Sequence, residues 1–134
     1  AAKKLYNLYH PKVVVITRGK QGGLLYDGSD FTVYPVYPAR VVDSNGAGDV
    51  FHGAFAAGLI SGYGYEQCCH FASAVSALKC TGMGARESVP TRSKVMEFKE
   101  ERLCNLNGIG VDRWGIRQFI VERTRLVNGS RSIC

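Results

Sequence analysis

The chain has 134 residues, 46% of them apolar and 21% charged, with a formal net charge of +6; this is enough for one domain with a buried core, in the ordinary balance of a globular protein. No stretch reaches the ~20 consecutive apolar residues of a membrane span, the opening AAKKLYNLYH lacks the apolar run of a secretory leader, and the scattered bases without an aromatic-basic stripe argue against nucleic acid and for a small anionic partner. The five cysteines, Cys68, Cys69, Cys80, Cys104 and Cys134, form neither a C-x-x-C pair nor a regular framework, which points to reduced thiols in a cytoplasmic protein rather than to disulfides or zinc.

Val13 to Thr17 is a short β-branched run ending at Arg18-Gly19 and reads as a buried strand feeding a loop. Gly22 to Asp27 and Phe31 to Tyr37 follow as a hairpin or meander around the turn residues Asp27-Gly28-Ser29-Asp30. Val41 to Asp43 then leads into a glycine turn, and Asp49 to Ser61, rich in alanine, reads as a helix stopped by Gly62-Tyr63-Gly64. A second helix is expected from Tyr65 to Lys79, with Phe71, Ala74, Val75 and Leu78 on its apolar side and small residues that permit tight packing. Thr81 to Ser88 returns to loop chemistry, Pro90 closes it, and Thr91 to Leu103 reads as a charged surface helix. Beyond Cys104 the text changes character, with mixed periodicity from Ile109 to Ile120 and strand character at Phe119 to Val121.

The chemistry concentrates in VVDSNGAGDVFHGA, Val41 to Ala54. Gly46 and Gly48 let the backbone approach a charged group, and the N–H groups that open a helix favour an anion. Asp49 would then stand beside that anion. A carboxylate so placed repels a phosphate but suits a base that takes a proton from an attacking hydroxyl. The same residues also read as a strand-to-helix turn whose aspartate only caps the helix. Asp43, six residues earlier, could form an acid/base pair with Asp49 or simply bond loop amides.

The run D-S-N-G-A-G-D-V-F, Asp43 to Phe51, resembles the C-terminal signature D-[TS]-x-G-A-G-D-x-F of the PfkB family of carbohydrate and nucleoside kinases, the ribokinase-like proteins. Two companions keep the family's order and spacing: T-R-G-K-Q-G at Thr17 to Gly22 and G-A-R-E-S-V-P at Gly84 to Pro90. The resemblance covers roughly residues 10 to 100 and rests on three motifs in register. It implies the C-terminal part of a ribokinase-like three-layer α/β/α sandwich, residues 1–104, as the ATP-binding and catalytic portion, and leaves 105–134 as a tail without counterpart. The Gly-Gly-containing sugar-binding region and β-sheet lid of the family's N-terminal half are not found in the sequence.

The activity so implied is ATP-dependent transfer of a γ-phosphate to a hydroxyl of a sugar or nucleoside, in a fragment lacking most of the acceptor site. The alternative is a nucleotide-binding module or inactive fragment without transfer. By motif matching, Asp49 is the catalytic base and Gly46, Ala47 and Gly48 form the anion hole. Thr17, Gly19, Gly22, Gly48 and, on the second helix, Ser73 contact the nucleotide. Asp43, Asn45, Lys79, Gly82, Gly84 and Ser88 surround a monovalent cation, usually potassium, with Asn45, Lys79, Gly82 and Gly84 acting through their carbonyls. Magnesium follows from ATP chemistry, its acidic motif lying upstream in the family, and a homodimer is compatible with the full-length protein. His52 and Arg86 read better as solvated or packing residues than as phosphate ligands, and Lys20 as an exposed loop lysine.

Overall fold

The computed structural model describes residues 1–107, with side chains through residue 101. Its contacts divide the chain into two units, Ala1–Met96 and Glu97–Cys134. The order of elements is α1 (Ala2–Tyr9), β1 (Val14–Thr17), a 3₁₀ turn (Gly19–Gln21), β2 (Gly23–Tyr26), β3 (Phe31–Tyr34), α2 (Ala47–Ile60), α3 (Tyr65–Lys79) and α4 (Arg92–Asn107). The second unit is described only where α4 continues through it, and the strand character expected at 119–121 lies outside the described residues. No described helix is long and apolar enough to cross a membrane.

The three strands form one antiparallel sheet in the order β1-β2-β3. Val14 faces Tyr26 in the first pair, and Tyr26 faces Phe31 in the second. The turn between β2 and β3 is closed by Asp27, whose Oδ1 accepts the N–H groups of Ser29 and Asp30 at 2.9 Å each. β3 stops at Tyr34, three residues short of the expected Tyr37, because Pro35 has no N–H to give the ladder.

One helix has no counterpart in the sequence reading. α1 ends at His10, which takes a left-handed φ of 48° while its N–H donates to Tyr6 O at 2.8 Å; Pro11 bars continuation. Packing holds it in place: the Tyr6 ring meets the Tyr26 ring edge-on at 5.2 Å.

α2 and α3 pack against each other over most of their length. They cross closely at Gly58, where a β-carbon would stand 2.9 Å from Cys68 Sγ. α3 is buried well beyond one stripe: Cys68, Cys69, Ala72 and Ala74 have no exposed surface, whereas Leu78 on the expected apolar side is only half-buried. Tight packing therefore accounts for the small residues of α3. On the sheet side, Tyr34 of β3 stacks on Phe51 of α2 with ring centroids 5.6 Å apart. Val41 and Val42, by contrast, join no strand and lie exposed, although Val42 N–H and Asp43 N–H both donate to Cys80 O, at 2.8 and 3.2 Å.

Candidate functional site

A cavity of about 510 Å³ lies within the first unit, lined by the Thr17–Gly22 turn, the loop from Val36 to Val41, the start of α2 and the inward side of α3. Its volume is that of a site for a drug-sized molecule. Thr17, Gly19 and Gly22 from one turn, Gly48 from the start of α2 and Ser73 from α3 all line it, and so does Lys20. Gly22 is forced by its surroundings: φ is +77°, and a β-carbon would stand 2.1 Å from Tyr34 O. Ser73 Oγ donates to Pro35 O at 2.9 Å, and Ser76 Oγ donates to Ala47 O at 3.0 Å, so α3 clips both the loop and the start of α2 in place. Tyr34 also lines the cavity; its hydroxyl is buried with no partner among the described residues, and burial pushes the phenol well above its ordinary pKa.

The start of α2 carries the anion-hole candidates. Gly46 caps the helix at a φ of +73°, a left-handed conformation that glycine adopts without strain. Ala47 N–H is already committed to Ser44 O at 3.1 Å, while the N–H groups of Gly46, Gly48 and Asp49 have no partner among the described residues. Two of the three expected donors are thus available, and the third serves the turn itself. Gly48 lines the cavity; Asp49, one residue on, is exposed and does not. The Asp49 carboxylate makes no hydrogen bond or ion pair with a described residue, so it is turned neither into packing nor onto its own helix N-terminus. His52 and Arg86 are exposed and lie outside the cavity lining.

The residues expected around a monovalent cation are also gathered. Asp43 Oδ1 accepts Asn45 N–H at 2.9 Å and Oδ2 accepts Gly84 N–H at 3.0 Å. These two N–H groups, Asn45 foremost, hold the carboxyl below the usual carboxylate range, with the Lys79 charge adding to them. Lys79 O accepts Gly82 N–H at 3.1 Å, and Gly84 O accepts the Ser88 hydroxyl. Asp43 therefore bonds loop amides and is not paired with Asp49.

A pH dependence follows from Asp43 and from Asp27, which the N–H groups of Asp30 and Ser29 lower in the same way. Each has a folded pKa below its unfolded value of about 3.9, so the stability it contributes is present above that value and is lost as pH falls through the folded one. The melting temperature is expected to hold between about pH 7 and 5 and to fall below about pH 4. Asp43→Asn should melt lower at neutral pH with a shallower acid limb; an acid limb as steep as the parent's would assign the loss elsewhere.

The sequence profile of the pfkB family carbohydrate kinases matches residues 1–92. The chain belongs to this family. It is 39% identical over 89 residues to the ribokinase of Bacillus subtilis, covering 66% of this chain and 30% of that protein. It is 44% identical over 69 residues to the cytidine kinase of Thermococcus kodakarensis, covering 50% of this chain and 25% of that one. Among solved structures, the Arabidopsis thaliana ribokinase complexed with ribose and ATP superposes with a TM-score of 0.63 at 36% identity, over 65% of this chain and 28% of that one. The pfkB chain thus spans less than a third of the length of these relatives, and its elements form part of the ribokinase-like α/β fold.

Two features of the cavity and the Asp43 loop are not foreshadowed by the sequence. The loop Val36 to Val41 lines the cavity with Tyr37 and Pro38, yet its β-branched and aromatic residues read as strand. Lys79 was assigned only a carbonyl role, whereas its ammonium is fully buried; a lysine among Ala, Ser and Cys in the last turn of α3 was the available signal.

Proposed function

We propose that this chain is the nucleotide-binding and proton-accepting part of an ATP-dependent phosphotransferase whose acceptor is a hydroxyl of a sugar or nucleoside. The observation that carries the reading is the start of α2, where Gly46 and Gly48 keep free N–H groups, Gly48 lines the cavity, and the Asp49 carboxylate stays exposed one residue further on. Free amides at a helix N-terminus bind anionic oxygens and stabilise charge that develops there. Asp49, the next residue in the first turn of α2, is the group the motif assigns to accept the acceptor's proton while the amides hold the phosphoryl oxygens. The apolar lining, Val36, Tyr37, Val41 and Ala77, suits the flat face of a base, and Ser76 and Thr17 bring hydroxyls to the same space.

When bound, ATP supplies the phosphoryl group and magnesium neutralises its charge. No residue is assigned to magnesium, since no three His, Cys, Asp or Glu side chains gather into a metal site among the described residues. No acceptor pocket is assigned among the described residues either. A second reading, nucleotide binding without transfer by these 134 residues alone, is favoured by their covering only 30% of the ribokinase they match. A cytoplasmic location accords with both.

The test is calorimetric titration of the chain with ADP, followed by the same titration of Gly48→Ala. Gly48 has no positive φ and open space around a β-carbon, so alanine fits the helix and raises its stability by about 0.5–1 kcal/mol. Its methyl group, however, stands where the backbone must approach the phosphate. Affinity is expected to fall by about tenfold or more, as the loss of one charge-assisted contact implies, while melting holds or rises. Unchanged affinity, or no binding by the parent, would remove the proposal.

A further inference from the structure

Lys79 is the last residue of α3, and its side chain has no exposed surface. The ammonium donates to the backbone carbonyl of Asp43 at 3.0 Å and lies 3.9 Å from Asp43 Oδ2. It thus sits on the residue expected to lead the ligands of a monovalent cation. Four of the other expected ligands are bonded within the chain: both Asp43 carboxylate oxygens take loop amides, Lys79 O takes Gly82 N–H, and Gly84 O takes the Ser88 hydroxyl, while the carbonyls of Asn45 and Gly82 accept no described hydrogen bond. A second monovalent charge brought to the same carboxylate, whose side chain keeps a quarter of its surface exposed, would meet the ammonium 3.9 Å from Oδ2 and be repelled by it, and it would compete with these bonds. The negative end of α3 favours a positive charge here in any case, and the lysine supplies it without the entropy of capturing an ion. The carboxylate that would lead a potassium ion's ligands is thus already served by an ammonium and two loop amides.

We propose that the Lys79 ammonium is the built-in counter-cation of the Asp43–Gly84 loop, standing where a monovalent metal ion would otherwise sit, so that the loop is ordered without one. The loop it holds runs directly into Gly46. Its consequence for catalysis, turnover that does not respond to potassium, rests on the phosphotransferase reading; its consequence for loop order does not.

The experiment measures thermal melting of the chain in choline, potassium and ammonium chloride at equal ionic strength, for the parent, Lys79→Ala and Lys79→Met. The parent is expected to melt within about 1 °C in all three salts, as a chain that binds no added cation must. Lys79→Ala removes the charge and opens its space; it should melt about 5 °C lower or more in choline and regain at least half of that loss in ammonium or potassium. Lys79→Met fills the space without charge, and should lose as much and regain nothing. A parent stabilised by potassium over choline overturns the proposal, and so does a Lys79→Ala variant that regains nothing in potassium or ammonium, or a Lys79→Met variant that regains as much. If Lys79→Ala does not fold, the parent decides: thallium titration followed by ²⁰⁵Tl NMR supports the proposal if no site-bound signal forms and overturns it if one does. None of these arms involves nucleotide, so failure here is separate from failure of the ADP titration.

Discussion

Replacing Asp49 with asparagine is expected to lower turnover by about 10²–10⁴-fold, the usual contribution of a positioned general base, while leaving nucleotide affinity within about twofold. The amide has the shape of the carboxylate but cannot take the acceptor's proton. Because Asp49 is exposed and bonded to no described residue, the substitution leaves the packing of α2 intact. Its position in the first turn of α2 makes the carboxylate mildly favourable to the helix dipole, so melting should drop only slightly. The measurement needs an acceptor site, which a chimera provides: residues 1–92, the stretch matched by the family profile, replace the corresponding part of the Bacillus subtilis ribokinase, and ribose-dependent ADP release is followed. Equal loss of rate and of nucleotide affinity would make Asp49 a structural cap, the plainer alternative that its sequence position also allows.

Gly22→Ala is expected to cost about 2–6 kcal/mol of stability, combining backbone strain of about 1–3 kcal/mol at a φ of 77° and ψ of −132° with overpacking of about 1–3 kcal/mol. At this glycine the φ of +77° and a would-be β-carbon 2.1 Å from Tyr34 O act together, and the clashing atom is backbone that cannot rotate away. β2 and β3 must separate to make room. Since Gly22 also lines the cavity, ADP binding should weaken along with the melt. Gly19→Ala is the control: it has a φ of +54° but open space around it, so only the strain of about 1–2 kcal/mol applies. Chemical denaturation of the two variants separates the effects. Matching losses would show that contact with Tyr34 O adds nothing.

The parts of the fold that were legible in the sequence are those whose cause is local. The bounds of α3 follow from the Gly62-Tyr63-Gly64 stop, from the Gln67 side chain that accepts Gly64 N–H at 3.2 Å, and from the glycine loop beyond Lys79. The β2–β3 turn follows from Asp27 and Gly28, which close it with their own atoms. α2 begins two residues earlier than Asp49 because a left-handed Gly46 lets the helix start at Ala47, inside the motif itself. Strand character was over-read from Pro35 to Tyr37 and α1 was missed for opposite reasons. A proline removed a ladder bond that apolar pattern alone cannot see, and eight residues too short to be helical in isolation were held by the Tyr6–Tyr26 contact.

By itself the sequence determined the identity of the turn, glycines at 46 and 48 with a carboxylate at 49, because backbone freedom and charge are properties of the residues present. It likewise determined the family to which the motifs point. Tertiary structure alone decided which groups those residues meet. Lys79 and Asp43 are separated by 36 positions, Ser73 and Pro35 by 38, and Gly84 and Asp43 by 41. No local propensity encodes such distances. The packing of α3 brings the Lys79 ammonium and the Ser73 hydroxyl to the carbonyls of the loops before α2, and the turn after α3 brings the Gly84 amide to Asp43, because a charged or polar group taken out of water must find a partner.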